Sequence, residues 1–134
     1  MNYWLLKSEP ETFSWDMLEK TGTSMWDGVR NYQARNNLRE MKSGDRVLFY
    51  HSGKNPGIIG LAEIVREHYP DPTANEGDWS VVDVKAINKF KKFVTLQEIK
   101  QMPSLQNMVL LKNTRLSVQP VKLDEYLEII QISG

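Results

Sequence analysis

The chain predicts an α+β domain built on a curved mixed sheet or small barrel. Three features carry that expectation. An aromatic, apolar strand opens the chain, two capped helical segments follow early, and strands joined by short loops fill most of the remainder before a few short helices. A length of 134 residues suits one domain, residues 1–134, around a single core. Hydrophobic content of 40% with 25% charged residues is that of an ordinary globular chain.

Asn2 to Lys7 forms the first strand, stopped at Ser8-Glu9-Pro10 because Pro10 lacks the N–H that a ladder needs. Ser14 is placed to cap a helix through Lys20, with Asp16 in its first turn and Gly22 at its end. Asn31 is placed to cap a second helix to about Lys42, before the turn Ser43-Gly44-Asp45. On it Ala34, Leu38 and Met41 share a core-facing stripe, and Arg35, Arg39 and Lys42 repeat the spacing one residue later. That basic stripe serves either as a solvated helix edge or as the rim of a groove.

Arg46 to Ser52 and Ile58 to about Arg66 are strands joined by the Gly53–Gly57 loop, apolar in long runs as central or barrel strands are. Tyr69 begins an acidic, irregular loop through Trp79, with Asp71 and Glu76 expected in solvent and Trp79 either a lid or a core plug. Ser80 to Phe90 alternates as a strand, and Thr95 with Glu98 forms a capping box for a short helix that Pro103 closes. Arg115 to Val121 is a further strand, broken by Pro120. Leu123 to Ile132 is a final helix with Leu123, Tyr126, Leu127 and Ile130 inward and Asp124, Glu125 and Glu128 outward. Trp4 and Trp15, on a strand and an amphipathic helix, are core anchors.

Several chemistries are excluded or disfavoured. With no cysteine there are no disulfides, thiolate metal sites or cysteine nucleophile, and two histidines, His51 and His68, argue against a dedicated transition-metal site. The apolar run Tyr3–Leu6 is too short for a signal peptide or membrane span, so a soluble, intracellular (cytoplasmic, or nuclear in a eukaryote), monomeric protein without metal or cofactor is expected. No nucleophile elbow, phosphate loop, zinc-protease helix or deaminase signature occurs. His51 and Ser52 are adjacent on a strand, point to opposite faces and cannot partner each other. An enzyme assembled from distant groups such as Ser8, His51 and Glu63 stays open as a second reading, and a protein-interaction scaffold as a third.

Net charge is zero, but it is segregated. Between Trp26 and Lys54, Arg30, Arg35, Arg39, Lys42, Arg46 and Lys54 outnumber Asp27, Glu40 and Asp45, whereas the flanking stretches are acidic. Such segregation permits a basic face on a neutral protein. The segment Trp26-Asp27-Gly28-Val29-Arg30-Asn31-Tyr32-Gln33-Ala34-Arg35 combines aromatic rings that stack on a base, arginines that neutralise phosphate and an Asn that pairs with a base edge. The same Trp and Tyr serve equally well as packing at a helix start. Lys7-Ser8 and His51-Ser52 end two neighbouring strands, so with Trp26, Tyr32 or Tyr50 they frame a pocket suited to a planar heterocycle.

Tyr3-Trp4-Leu5-Leu6-Lys7-Ser8-Glu9-Pro10, Trp26 to Arg35, Phe49-Tyr50-His51-Ser52, Pro56 to Glu63 and Leu116-Ser117-Val118-Gln119-Pro120-Val121 together resemble the EVE domain family, in order and over nearly the whole chain. The resemblance implies a PUA-like fold, related to the YTH readers of methylated adenine. It also implies a non-catalytic module that binds DNA or RNA by inserting a modified base, methylated or hydroxymethylated, into an aromatic pocket. Carried onto this chain, it makes Trp26 a cage wall, puts Lys7-Ser8 at the pocket edge, gives Asn31 and Tyr32 to base recognition and lines the mouth with Arg30, Arg35 and His51-Ser52. Val29 and Tyr50 complete the expected base pocket, and Arg39 and Lys42 of the basic stripe join Arg30 and Arg35 as expected phosphate contacts.

Overall fold

The computed structural model describes residues 1–134. Six strands form one mixed sheet: β1 (Tyr3–Ser8), β2 (Thr23–Met25), β3 (Arg46–His51), β4 (Gly57–Pro70), β5 (Ser80–Thr95) and β6 (Val118–Val121). Their order across the sheet is β2-β5-β4-β3-β1-β6. Only β1 and β3 pair in parallel; every other neighbour is antiparallel. The helices are α1 (Trp15–Thr21), α2 (Tyr32–Glu40), α3 (Leu96–Gln101), α4 (Val109–Lys112) and α5 (Leu123–Ile132), with a 3-10 turn at Pro103–Leu105. The α+β mixed sheet flanked by short helices is the expected class.

Both faces of the central strands are covered. Trp4, Leu6, Val47 and Phe49 pack with Trp15, Leu18, Ala34 and Leu38 of α1 and α2 on one side. The alternate residues Leu5, Leu48 and Tyr50 pack with Ile99, Leu110 and Ile129 of α3, α4 and α5 on the other. A strand buried on both faces needs no polar alternation, which is why β1 and β3 read as continuous apolar runs. The carboxylate of Asp45, itself buried, ties the two strands together at their starts. It accepts from the Asn2 N–H at 3.1 Å, the Trp4 indole N–H at 2.9 Å and the Lys42 N–H at 3.0 Å.

The capping residues act as the sequence implies. Ser14 accepts from the Met17 N–H, Asn31 from the Ala34 N–H, and Thr95 with Glu98 closes a capping box. Other expectations need correction. Helix α2 stops at Glu40, while β4 and β5 extend to Pro70 and Thr95. The short β2 and α4 carry too few residues to show a period. Strand β6 runs through Pro120, which sits opposite Trp4 on an edge strand, where a missing N–H costs no ladder bond. In α5 the inward face is rotated: Leu123 and Leu127 are each 54% exposed, whereas Glu125 is 4% exposed and Ile129 fully buried. Glu125 accepts from the Lys122 N–H at 2.9 Å, and Tyr126 stacks on Tyr3 at 4.2 Å. These two contacts choose the face over the more apolar alternative.

Candidate functional site

The parallel pair fixes where the candidate residues meet, because Lys7-Ser8 and Tyr50-His51 are in register at the C-terminal ends of β1 and β3. Three clefts open around those ends. The first, of about 520 Å³, lies between Lys7-Ser8-Glu9, Thr12-Phe13 and the Ser24–Asn31 segment. The second, of about 700 Å³, lies between Glu9–Glu11, His51–Asn55 and the Lys89–Phe93 part of β5. The third, of about 410 Å³, is floored by Tyr50, Leu96, Leu110 and Leu111, with Lys7 and Lys100 among its lining residues.

The first cleft brings together Lys7, Ser8, Trp26, Val29, Arg30 and Asn31. Trp26 leaves β2 with its N–H donating to Val82 O at 2.8 Å. Its ring meets Phe13 at 5.9 Å and Phe49 at 5.5 Å, both near perpendicular, and only 7% of the residue is exposed. Trp26 is therefore a core anchor that reaches the cleft with a small edge rather than a bare stacking face. Its indole N–H has no partner within the chain and is not sealed from solvent. Asn31 spends its side-chain oxygen on the Ala34 N–H at 2.9 Å and keeps its amide N–H groups unpaired. Ser8 Oγ donates to Phe13 O, so only its lone pairs face the cleft. Lys7 Nζ donates to Thr114 O at 2.8 Å and stands 5.6 Å from the Tyr50 ring centroid. Burial lowers the Lys7 pKa below that of an ordinary lysine.

Asp71 holds this segment in place. Its side chain is fully buried and accepts from the Gly28 N–H at 3.0 Å, Arg30 Nη1 at 2.9 Å, the Thr73 N–H at 2.7 Å and Thr73 Oγ1 at 2.6 Å. Burial alone would raise its pKa; the bonds from Thr73, Arg30 and the Gly28 and Thr73 amides outweigh that and bring it down to about 2. Gly28 itself sits at φ +79°, a conformation that side-chain-bearing residues rarely adopt. The expectation that Asp71 is solvated is thus overturned. The missed signal is Asp71 two residues before Thr73, the spacing at which an Asp side chain caps its own turn.

Other expected members lie elsewhere. Tyr32 is 67% exposed, outside the cleft, and stacks on Trp79 at 5.1 Å and 13°. Trp79 is neither lid nor core plug: it packs on α2, with Arg30 and Arg35 over its ring at 5.6 and 5.7 Å. Arg35 and Arg39 bond the loop at Asp78 O, Arg39 also pairs with the Asp78 carboxylate at 2.7 Å, and Lys42 lies 3.9 Å from Glu67. None of these three lines the cleft; Arg35 and Arg39 clamp the acidic loop, and Lys42 lies beside β4. His51 lines the second cleft, Ser52 the second and third, and Tyr50 is buried beneath the third.

The hydroxyls and the imidazole do not form a nucleophile–base pair. His51 Nε2 accepts the Trp15 N–H at 3.0 Å, which places its proton on Nδ1. Burial lowers the His51 pKa, with Asp16 opposing and Lys89 adding to the shift. Ser52 Oγ donates to Ser8 O at 3.3 Å, and Glu63 pairs with Arg46 at 2.9 Å. The trio Ser8, His51 and Glu63 is dispersed among structural contacts. No three His, Asp or Glu side chains converge as a metal site, and no helix is long and apolar enough to cross a membrane.

Residues 2–132 match the family model described as EVE domain. The chain belongs to the EVE domain family. It is 43% identical to mouse thymocyte nuclear protein 1 over 93% of this chain and 70% of that protein. Among solved structures, a hypothetical protein from Leishmania major superposes with a TM-score of 0.93 at 49% identity, covering 99% of this EVE chain and 94% of that one. Human THYN1, solved in complex with 5-methylcytosine-containing DNA, superposes with a TM-score of 0.93 at 39% identity, covering 100% and 98% of the two chains. The fold extends further: the Mmi1 YTH domain superposes at a TM-score of 0.62 with 14% identity, covering 98% and 86%.

Proposed function

We propose that this EVE domain is a non-catalytic reader that binds nucleic acid and takes a modified base into the cleft beside Trp26. One observation carries the proposal: a relative with the same fold over the whole chain is bound to 5-methylcytosine-containing DNA, and this chain keeps an open cleft at the β1 and β3 ends. The cleft offers complementary groups for a pyrimidine edge. The Trp26 indole N–H and the Asn31 amide donate toward the carbonyl oxygen and the ring nitrogen, and the Ser8 Oγ lone pairs accept from an exocyclic amine. Val29, Phe13 and the Trp26 edge supply apolar contact for a methyl group.

The energetics allow it. A base leaving a duplex gives up roughly a few kcal/mol of stacking and pairing. Two or three hydrogen bonds at about 1 kcal/mol each, with apolar burial of the base, offset that loss. Absence of turnover is supported by Ser8, Ser52 and His51 all being committed to backbone partners.

The test is a binding titration with duplex and single-stranded oligonucleotides, with and without 5-methylcytosine. Trp26→Ala abolishes the preference for the modified strand, and Trp26→Phe, which keeps an aromatic ring in the core and removes the N–H, reduces it. A preference unchanged in both variants overturns the pocket.

A further inference from the structure

The arginines expected to meet phosphates are occupied by Asp71 and Asp78, so the backbone of a bound strand needs another cationic path. The second cleft offers one. Lys89, Lys91 and Phe93 alternate along β5 and share one face of the strand, and Lys54 comes toward them from the β3–β4 turn. None of the three lysines has an ion-pair partner, whereas Lys92, on the opposite face, pairs with Glu98 at 2.5 Å. Phe93 is half-buried, and its ring lies over Gly57, where an added Cβ would stand 2.7 Å from it. The cleft adjoins the base cleft directly, because Glu9 lines both and Ser8 O receives the Ser52 N–H at 2.9 Å across their boundary.

Resting on the reader proposal above, we infer that this groove carries the sugar–phosphate backbone of the bound strand away from the base cleft. Lys54, Lys89 and Lys91 neutralise successive phosphates, and the Phe93 ring supports a neighbouring unpaired base. Lysines interleaved with an aromatic ring along one strand are the composition of a sequence-tolerant nucleic-acid track. Glu9 and Glu11 line the facing wall and repel phosphate, which confines the backbone to the β5 side. Because these lysines touch phosphate and not base edges, they contribute affinity without setting the preference for modification.

The experiment compares the full chain with a Lys54→Gln, Lys89→Gln, Lys91→Gln variant and with an Arg39→Gln, Lys42→Gln control. The probes are 5-methylcytosine-containing and unmodified oligonucleotides over a range of salt. Every phosphate that goes without its lysine lowers the slope of log affinity against log salt by roughly 0.7–0.9. The inference expects the slope of the triple variant to fall by about 2–3 and both probes to weaken by the same factor, with the control unchanged. A triple variant with the wild-type slope, or a slope that falls in the control instead, overturns the groove. The two proposals separate in the readout: a wild-type chain that binds both probes equally, while the slope still falls in the triple variant, condemns only the base cleft. Lys54, Lys89, Lys91 and Lys42 are exposed and Arg39 is half-buried, and an unchanged melting temperature confirms that the variants are folded.

Discussion

The carboxylate of Asp71 accepts the backbone N–H of Gly28 at 3.0 Å, joining two segments separated by 43 residues. Through this bond, and the one from Arg30, the loop after β4 sets the backbone that carries Trp26, Val29 and Asn31. The acidic loop is thus a brace behind the cleft rather than a cover over it. Replacing Asp71 with Ala leaves the Gly28 N–H and the Thr73 groups without their acceptor, at roughly 1–3 kcal/mol. Denaturant unfolding is expected to show that loss, and Asp71→Asn a smaller one. A variant as stable as wild type would mean that the turn is held by something else.

The same carboxylate gives a pH signature. Its folded pKa, about 2, lies below the ordinary 3.8, so its contribution is complete above the ordinary value and drains away as pH falls toward 2. The stability gap between wild type and Asp71→Asn is therefore expected to be constant near neutrality and to close across that acid window. A gap independent of pH down to 2 contradicts the assignment.

His51 titrates in a different window. Its pKa is lowered by burial, and protonation of Nε2 removes the acceptor for the Trp15 N–H at the start of α1. Stability from neutral His51 is complete above the ordinary 6.5 and declines as pH falls below it. Proton NMR of the His51 ring should give a midpoint below 6.5, and a midpoint above it would refute the buried neutral imidazole.

Gly60 faces the fully buried Trp15 ring so closely that an added Cβ would stand 2.8 Å from two ring carbons. Phe49, paired with Gly60 across β3 and β4, meets the same ring edge-on at 5.5 Å, and the ring is fully buried, so any shift disturbs the core around it. Gly60→Ala is expected to cost roughly 1–3 kcal/mol in thermal or denaturant unfolding, through overpacking alone.

Tyr32 and Trp26, close neighbours in sequence, are expected to separate cleanly in function. Tyr32→Ala breaks the stack on Trp79 and leaves the modified-base preference untouched, since Tyr32 lies outside the cleft. Loss of preference in Tyr32→Ala, measured in the same titration as the Trp26 variants, would move the base site to the outer face of α2.

Much of the fold was legible because capping is local. Ser14, Asn31 and Thr95 each satisfy an amide three residues away, and a window of the sequence contains both partners. The face of α5 was not legible, because it is chosen by Tyr3 from the far end of the chain and by a buried Glu125 that hydropathy reads as outward. The candidate site divides the same way. Lys7, Ser8, Trp26, Val29, Arg30 and Asn31 line one cleft, since two short contiguous segments supply them. What sequence could not reveal was the fate of the charges: Arg35 and Arg39 meet Asp78, and Arg30 meets Asp71, only once β4 and β5 are paired.

Strand β1 lies between β3 and β6, with Tyr3 opposite Val121 across most of the chain. During synthesis the first strand can dock on β3 as soon as that strand emerges, but its other edge stays open until β6 is made. For that interval the nascent domain exposes an apolar strand edge of the kind that recruits foreign strands. Assembly is therefore expected to be governed by closure of this terminal pair, a long-range contact that slows folding.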